Sequence, residues 1–489
     1  MKVEIAIIGG GFCGITTAMN ILSRDHSRRT RIHIINAGSP TGRGIAYTPT
    51  SAEHLLNVTV EKMSCLSDNP DHFLNWVMSQ NAYALLDRDM VKKFFLPRRV
   101  YGNYLLETWN EYLVKYAGRI FTIEDYAHDV IKTDLGYCVQ LMTGTDLQAD
   151  AVILANGNEV PANPKIANQD IYNSPNYFRN PWNPAAFENA NPHRNVLIIG
   201  NGLTMVDAVM ELDKPSFKGK IYTVSPHGFA ILPHRHNGVV YKAFAEEIKD
   251  IYDLNIIFSA FKKHLHTLRR FGISAEPLID SLRSRTQQLW MTFTEDEKRR
   301  FLTHLRHLWG VARHRIPTHI HDRLTNLRLS DKLHIQKGKL LAMEEKNEMI
   351  EVRFADTARG IEHIIYVDRI INCSGPSLDI SKSTNPLIKR LFLKGMITQD
   401  QFRIGLETNL TGEIINVKGD VQKGLFTLGG NLRGLLWEST AVPELKTQSA
   451  NLAEQIALTF GLAEESMYTE KISVSNTLDH GQIERTASQ

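Results

Sequence analysis

Two glycine-rich runs, far apart in a chain of 489 residues, have the spacing of turns that let a backbone approach a phosphate. The first, in VEIAIIGGGFCGITTAMNIL, sets Gly9, Gly11 and Gly14 in a GxGxxG pattern, with Phe12 and Cys13 inside it. The second, in NVLIIGNGLTMVDAVMEL, repeats the arrangement with Gly200 and Gly202 and runs on through Leu203 and Thr204. Each begins as an apolar strand and continues with helical periodicity. That is the context in which such a turn sets a pyrophosphate against a helix N-terminus. One glycine turn is a weak signal. Two in strand–turn–helix context imply two dinucleotides, and the usual pair is a flavin that stays bound and a nicotinamide that supplies hydride.

The residues that end the following strands tune this expectation. After the first turn, RIHIIN closes on Asn36 where an acid would bond the adenosine ribose, so the contact there falls to an amide. After the second, KIYTVSPHG ends without an acid to repel a 2′-phosphate. Ser225 and His227 stand there as donors and Arg235 follows, which favours NADPH and leaves NADH possible. Two more segments, ADAVILANGN with Gly157 and VDRIINCSGP with Gly375, share the form of an acid, an apolar strand and a small-residue turn. Such strands return the chain beneath a cofactor, where small residues permit close approach.

These residues need an α/β scaffold of two Rossmann-like dinucleotide-binding domains with a helical insertion. The pattern along the chain assigns 1–165 to the first part of a flavin domain and 190–365 to a nicotinamide domain. It assigns 366–465 to the second part of the flavin domain and 466–489 to a polar tail. A charged, His-rich helical stretch at about 240–328 reads as the insertion, and the proline-rich 159–193 as a linker.

Composition narrows the classes. Apolar content of 43% and charged content of 22% suit a globular chain, and a net charge of +3 makes no case for nucleic acid or an anionic membrane. No apolar run is long enough to span a bilayer and no leader precedes the first strand, so a soluble, cytoplasmic protein is expected. Cys13, Cys65, Cys138 and Cys373 form no CxxC pair, which disfavours a thioredoxin-reductase-like dithiol. His304 with His307, His319 with His321 and His234 with His236 lack the companion ligands of a metal site, so none is expected. No GxSxG elbow supports a hydrolase. The oligomeric state is left open.

Five segments carry a more specific resemblance, in order along nearly the whole chain. They are GRGIAYTPTSAEHLLNVTVEKMS at 42–64, FLPRRVYGNYL at 95–105, GNGLTMVD at 200–207, FLTHLRHLWGVARHRIP at 301–317 and GGNLRGLLWESTAVPELKTQSANLA at 429–453. The chain resembles the FAD/NAD(P)-binding family related to FAD-dependent urate hydroxylase, within the two-dinucleotide flavin monooxygenases. The resemblance implies FAD and NAD(P)H. It also implies a small-molecule substrate and molecular oxygen, joined by a hydroxylation through a flavin-oxygen adduct. A reductase without oxygen insertion and a non-catalytic dinucleotide sensor are the alternatives. It brings Arg43, Gly44, Tyr47, His54, Arg98 and Tyr101 to the cofactor and Asn57 to its reactive face. It puts Trp437 and Glu438 beside the flavin ring, with Ser439 or Thr440 capping a helix that starts near Pro443. Gly430 replaces the aspartate that would bond the ribityl chain, which leaves that contact to Asn431 or backbone. The RHR run at 313–315 is expected to line a channel.

Overall fold

The computed structural model describes residues 2–38, 40–48, 51–235, 239–356 and 359–462; the polar tail expected at 466–489 lies outside them. Runs such as VEIAII are rich in β-branched residues and buried along nearly their whole length, the signature of central parallel strands. Six strands form the first sheet in the order Glu413–Ile415, Val421–Thr427, Ala151–Leu154, Val3–Ile8, Thr30–Ile35 and Ile120–Ile123. All neighbours are parallel except the Glu413–Ile415 edge pair. The second sheet runs Leu333–Lys337, Ile221–Ser225, Val196–Ile199, Arg369–Asn372 and Tyr177–Phe178, parallel throughout. The α/β class with two parallel-sheet dinucleotide-binding domains is therefore the architecture of the chain.

The two domains are built alike. In each, a three-stranded antiparallel meander leads into a central strand of the parallel sheet. In the first, strands Ala127–Thr133, Gly136–Leu141 and Asp146–Ala149 precede Ala151–Leu154. In the second, Lys339–Lys346, Met349–Asp356 and Ile361–Val367 precede Arg369–Asn372.

This pairing corrects the boundary expected at 365/366. Arg369–Asn372 pairs residue for residue with Val196–Ile199 and Tyr177–Phe178 joins its other edge, so the nicotinamide-type domain extends past 372 and draws a strand from the 159–193 stretch.

The first glycine turn leads into helix Phe12–Arg24, which packs on helix Val442–Thr459 from the far end of the sequence. A buried hydroxyl pair at 2.8 Å, Thr16 with Ser449, fixes their contact. Helices from Lys242–Glu247 to Arg306–Arg313 share an aromatic core around Trp290, Phe301, Trp309 and Trp437, whereas helix Thr318–Leu329, inside the stretch expected as insertion, packs into the core of the second domain.

Candidate functional site

Both glycine turns sit at the C-terminal ends of their sheets and are tied down in the same way. Gly9 N–H donates to Ile35 O at 2.9 Å and Ala155 N–H to Ile8 O at 2.9 Å. In the second domain, Gly200 N–H donates to Val224 O at 2.8 Å and Cys373 N–H to Ile199 O at 2.8 Å. Gly9 and Gly200 have φ of 113° and 103°, in the region that favours glycine. A β-carbon on Gly9 would overlap the Ala155 carbonyl, and one on Gly200 would lie 2.6 Å from the Cys373 oxygen. The helices begin after Gly11 and Gly202, and neither has a side-chain cap. Their first N–H groups are left to an incoming acceptor, in the geometry that suits a pyrophosphate.

Around the first turn, the 41–47 loop folds over the helix start. Gly42 N–H donates to Gly10 O at 2.7 Å, and a β-carbon on Gly44 (φ 58°) would lie 3.1 Å from Gly11 Cα. Asn36 accepts from Gly10 N–H at 3.0 Å and donates to Thr41 Oγ1 at 3.3 Å, so its amide ties turn to loop as well as ending the strand. Arg43 donates to Asn103 at 2.6 Å, while its Nε is buried without a partner among the described residues. Tyr47 stands edge-on to Tyr101 at 4.8 Å, and the buried Tyr101 hydroxyl has no partner among the described residues. Phe12 is buried, and burial pushes the Cys13 thiol up to about 12, so this cysteine stays protonated.

Opposite, Gly157 (φ 74°) has open space where a side chain would go. A β-carbon on Gly430 would lie 2.6 Å from Asn158 Oδ1, so a side chain at this position would displace the exposed Asn158 amide. Asn431 donates to Asn156 at 3.0 Å and to Thr427 at 2.9 Å, which commits its amino group to the turn. At the second turn, Leu203 and Thr204 open the helix and Gly375 (φ 90°) faces open space. Ser225 Oγ accepts from Gly228 N–H at 3.1 Å, and His227 stacks on Phe229 beside His307.

His54 and Arg98 lie between the domains. Arg98 donates to Asp207 at 3.1 Å and stacks over Trp182, and His54 faces Glu211 at 3.7 Å. Asp207 and Glu211 lie on the second glycine helix, Leu203–Leu212, so His54 and Arg98 both face the second domain, while the two His54 ring nitrogens and Arg98 Nε are buried without a hydrogen-bond partner among the described residues. Burial raises the Asp207 carboxyl, opposed by Arg98 and His54. Asn57 lies in the same seam. It is half-buried, its carbonyl pairs with His234 Nε2 at 3.0 Å, and its side chain makes no hydrogen bond to the described residues. Glu211 was overlooked in the sequence, although two acids one turn apart on an apolar helix were a legible signal.

The 437–440 segment differs most from expectation. Trp437 is 8% exposed and packs against Trp290 at 5.2 Å and Phe301 at 5.3 Å, within the insertion's aromatic core. Neither Ser439 nor Thr440 caps the next helix. The N-cap is Ala441, without a side-chain bond, and Pro443 does lie in the first turn. Ser439 is fully buried, its hydroxyl without a partner among the described residues, and Thr440 is exposed. Glu438, at φ 65°, accepts from Trp309 Nε1 at 2.6 Å and faces Arg313 at 3.9 Å and His314 at 3.7 Å. Burial would raise its carboxyl, but these donors and charges hold it at about 2. Arg315, the last of the RHR run, is buried and pairs with Asp280 at 2.9 Å.

With this geometry in place, the chain can be set beside known proteins. A family model described as FAD-NAD(P)-binding matches residues 6–159. No curated protein matches the chain. Among solved structures, the ornithine N-hydroxylase of Kutzneria sp. 744, with reduced FAD, NADP+ and L-ornithine, aligns with a TM-score of 0.64 at 13% identity, covering 94% of this chain and 100% of that one. The L-lysine 6-monooxygenase of Pseudomonas syringae aligns at 0.63 and 14% identity, covering 93% and 99%. A bacillithiol disulfide reductase of Staphylococcus aureus aligns at 0.54 and 13% identity, covering 94% and 99%. At these identities the likeness is one of fold. The fold is thus that of a two-domain α/β protein, shared with solved N-hydroxylases and with a disulfide reductase, and its first part matches an FAD-NAD(P)-binding family model.

Proposed function

We propose that this chain is an FAD-dependent NADPH oxidoreductase that hydroxylates a small organic molecule with molecular oxygen. One observation carries the reading: two glycine turns, each followed by a helix without a side-chain cap, end two parallel sheets within one molecule. The cradle at 9–14 suits FAD, because the backbone fills the space where side chains would stand and the 41–47 loop closes over it. The turn at 200–204, with Ser225 and His227 nearby, suits NADPH over NADH. Bound there, the two cofactors supply hydride transfer and the activation of oxygen, chemistry no side chain here provides.

The protein's part is to orient and shield. The helix starts after Gly11 and Gly202 would hold the pyrophosphates, and the Arg98–Asp207 and His54–Glu211 contacts bridge the domains. Asn57 offers an amide in the seam between them. The kinship with the urate hydroxylase group belongs to this proposal and rests on segments 42–64 and 429–453. A second reading, a reductase that passes electrons to an acceptor without oxygen insertion, draws on the likeness to the disulfide reductase fold. The four cysteines speak against a dithiol version, since no two form a CxxC pair and three are buried.

The test is an absorbance spectrum of the purified protein with and without added FAD, followed by NADPH and NADH oxidation with and without candidate substrates. A flavin spectrum, faster oxidation of NADPH and one oxygenated product per NADPH support the proposal. Stoichiometric reduction of an acceptor without oxygen uptake establishes the reductase instead. Flavin binding without any turnover leaves a sensor.

A further inference from the structure

The helical insertion holds a half-open cavity of about 370 Å³ that neither glycine turn lines. Its wall draws Phe261 from helix Leu254–Arg269, Leu282 from Glu276–Leu282, Trp290 from Thr286–Thr292 and Trp309 from Arg306–Arg313. Phe301 and Trp437 complete it. The volume falls in the range of small-molecule sites, which are mostly apolar and lie at domain junctions.

The backbone is shaped around this space. Between helices Glu295–Arg300 and Arg306–Arg313 the chain makes a π-helical turn, Phe301–Leu305, and both its end residues line the cavity. Such turns are rare and recur at functional sites. The wall also reaches the first domain. Trp437 is followed by Glu438, which Trp309 anchors, and upstream of Trp437 the chain leads back to the 429–431 turn, where Gly429 N–H donates to Gln448 at 2.8 Å. A β-carbon on Gly429 would lie 3.3 Å from Cys13 Sγ. One segment, 429–440, therefore touches both the cavity and the first glycine turn.

Two polar residues are in the lining. Thr286 spends its hydroxyl on Leu282 O at 2.9 Å. Arg269 is exposed, so it stands at the mouth, and it makes no ion pair with the described residues. No carboxylate lines the space. An ammonium group inside would be buried and unpaired, which is costly, whereas hydrocarbon is favoured.

We propose that this cavity is the substrate pocket and that it takes an aromatic or branched hydrocarbon body, with any anionic end held at the mouth by Arg269. The proposal rests on the hydroxylase reading for its chemistry. It departs from ornithine and lysine, the diamino acids named for the proteins of similar fold.

The test titrates the flavin-loaded protein, without NADPH, with 4-phenylbutyrate, 4-phenylbutanol and L-ornithine. Binding is followed by calorimetry and by tryptophan fluorescence, since Trp290, Trp309 and Trp437 are in the wall. Saturable binding of both phenyl compounds and none of ornithine is expected. Ala312→Phe and Ala275→Phe fill the space from two sides and should each weaken both by about tenfold or more, with flavin content and melting temperature kept. If one fails to fold, the other decides. Arg269→Gln should weaken 4-phenylbutyrate alone. Ornithine binding as tightly as the phenyl compounds, or affinities that ignore the filling variants, would overturn the assignment and leave the hydroxylase reading intact. Binding as expected in a protein that never oxidises NADPH would keep the pocket and remove that reading.

Discussion

In the first domain a β-carbon on Gly14 would overlap the Gly9 carbonyl oxygen; in the second, the equivalent position is Met205, whose full side chain is buried in the domain core. The first helix lies directly against its turn, which only glycine permits. The second stands off far enough for a methionine to fill the gap. Gly202 likewise has open space around its missing side chain, whereas Gly11 has Gly44 Cα at 3.6 Å from that point. Their supports differ too. The first helix is braced by neutral hydroxyls on Val442–Thr459, the second by Arg98 and His54 from the other domain. A close-packed turn suits a cofactor that stays bound. A looser one, braced across the domain seam, suits a cofactor that comes and goes.

The sharpest way to break this comparison is Gly14→Ala. The added carbon meets backbone, which cannot step aside, so flavin should be lost and stability should fall by about 3 kcal/mol or more. Flavin absorbance and a urea midpoint check both. Gly202→Ala, its counterpart in the open turn, should cost well under about 1 kcal/mol and keep flavin. Similar losses from both variants would end the distinction.

Glu438 belongs to neither turn but ties the insertion to the first domain, and a pH series tests it. Its carboxyl is held below its ordinary value, so its stabilisation is present above about pH 5 and is lost as pH falls towards about 2. The drop from 4.5 to about 2 corresponds to about 3 kcal/mol. Glu438→Gln should remove that part of the acid transition and lower stability at neutral pH, read by tryptophan fluorescence. An unchanged acid transition would mean the insertion is held by its aromatic contacts.

Gly200→Ala should act on the nicotinamide alone. At φ 103° and 2.6 Å from the Cys373 oxygen, the change should cost about 2 kcal/mol. It should slow flavin reduction by NADPH while flavin content is kept. Loss of flavin as well would show that the two turns are not independent.

Asn57→Ala is expected to change stability least, by under about 1 kcal/mol, because the fold is held there by its carbonyl and not its amide. Flavin should remain, while peroxide released per NADPH should rise. Unaltered coupling and reduction rate would place the amide away from the reacting centre.

The sequence by itself determined the two glycine turns, the α/β class and the helical character of the insertion. Those features are local: a positive φ at Gly9 or Gly200 demands glycine, and a strand buried on both faces must be apolar throughout. Tertiary structure decided which strands meet. Arg369–Asn372 joined Val196–Ile199 across the whole insertion, moving the domain boundary past 365, because pairing depends on the closure of a sheet and not on any nearby residue. It also decided the fate of WEST at 437–440. Trp437 turned into the insertion's core, Glu438 became an anchor and Ala441 took the cap. Local capping preferences were overridden there by a buried aromatic cluster assembled from distant helices. His54 and Arg98 tell the same story: their partners Glu211 and Asp207 are more than a hundred residues away, and only the docking of two domains brings them together.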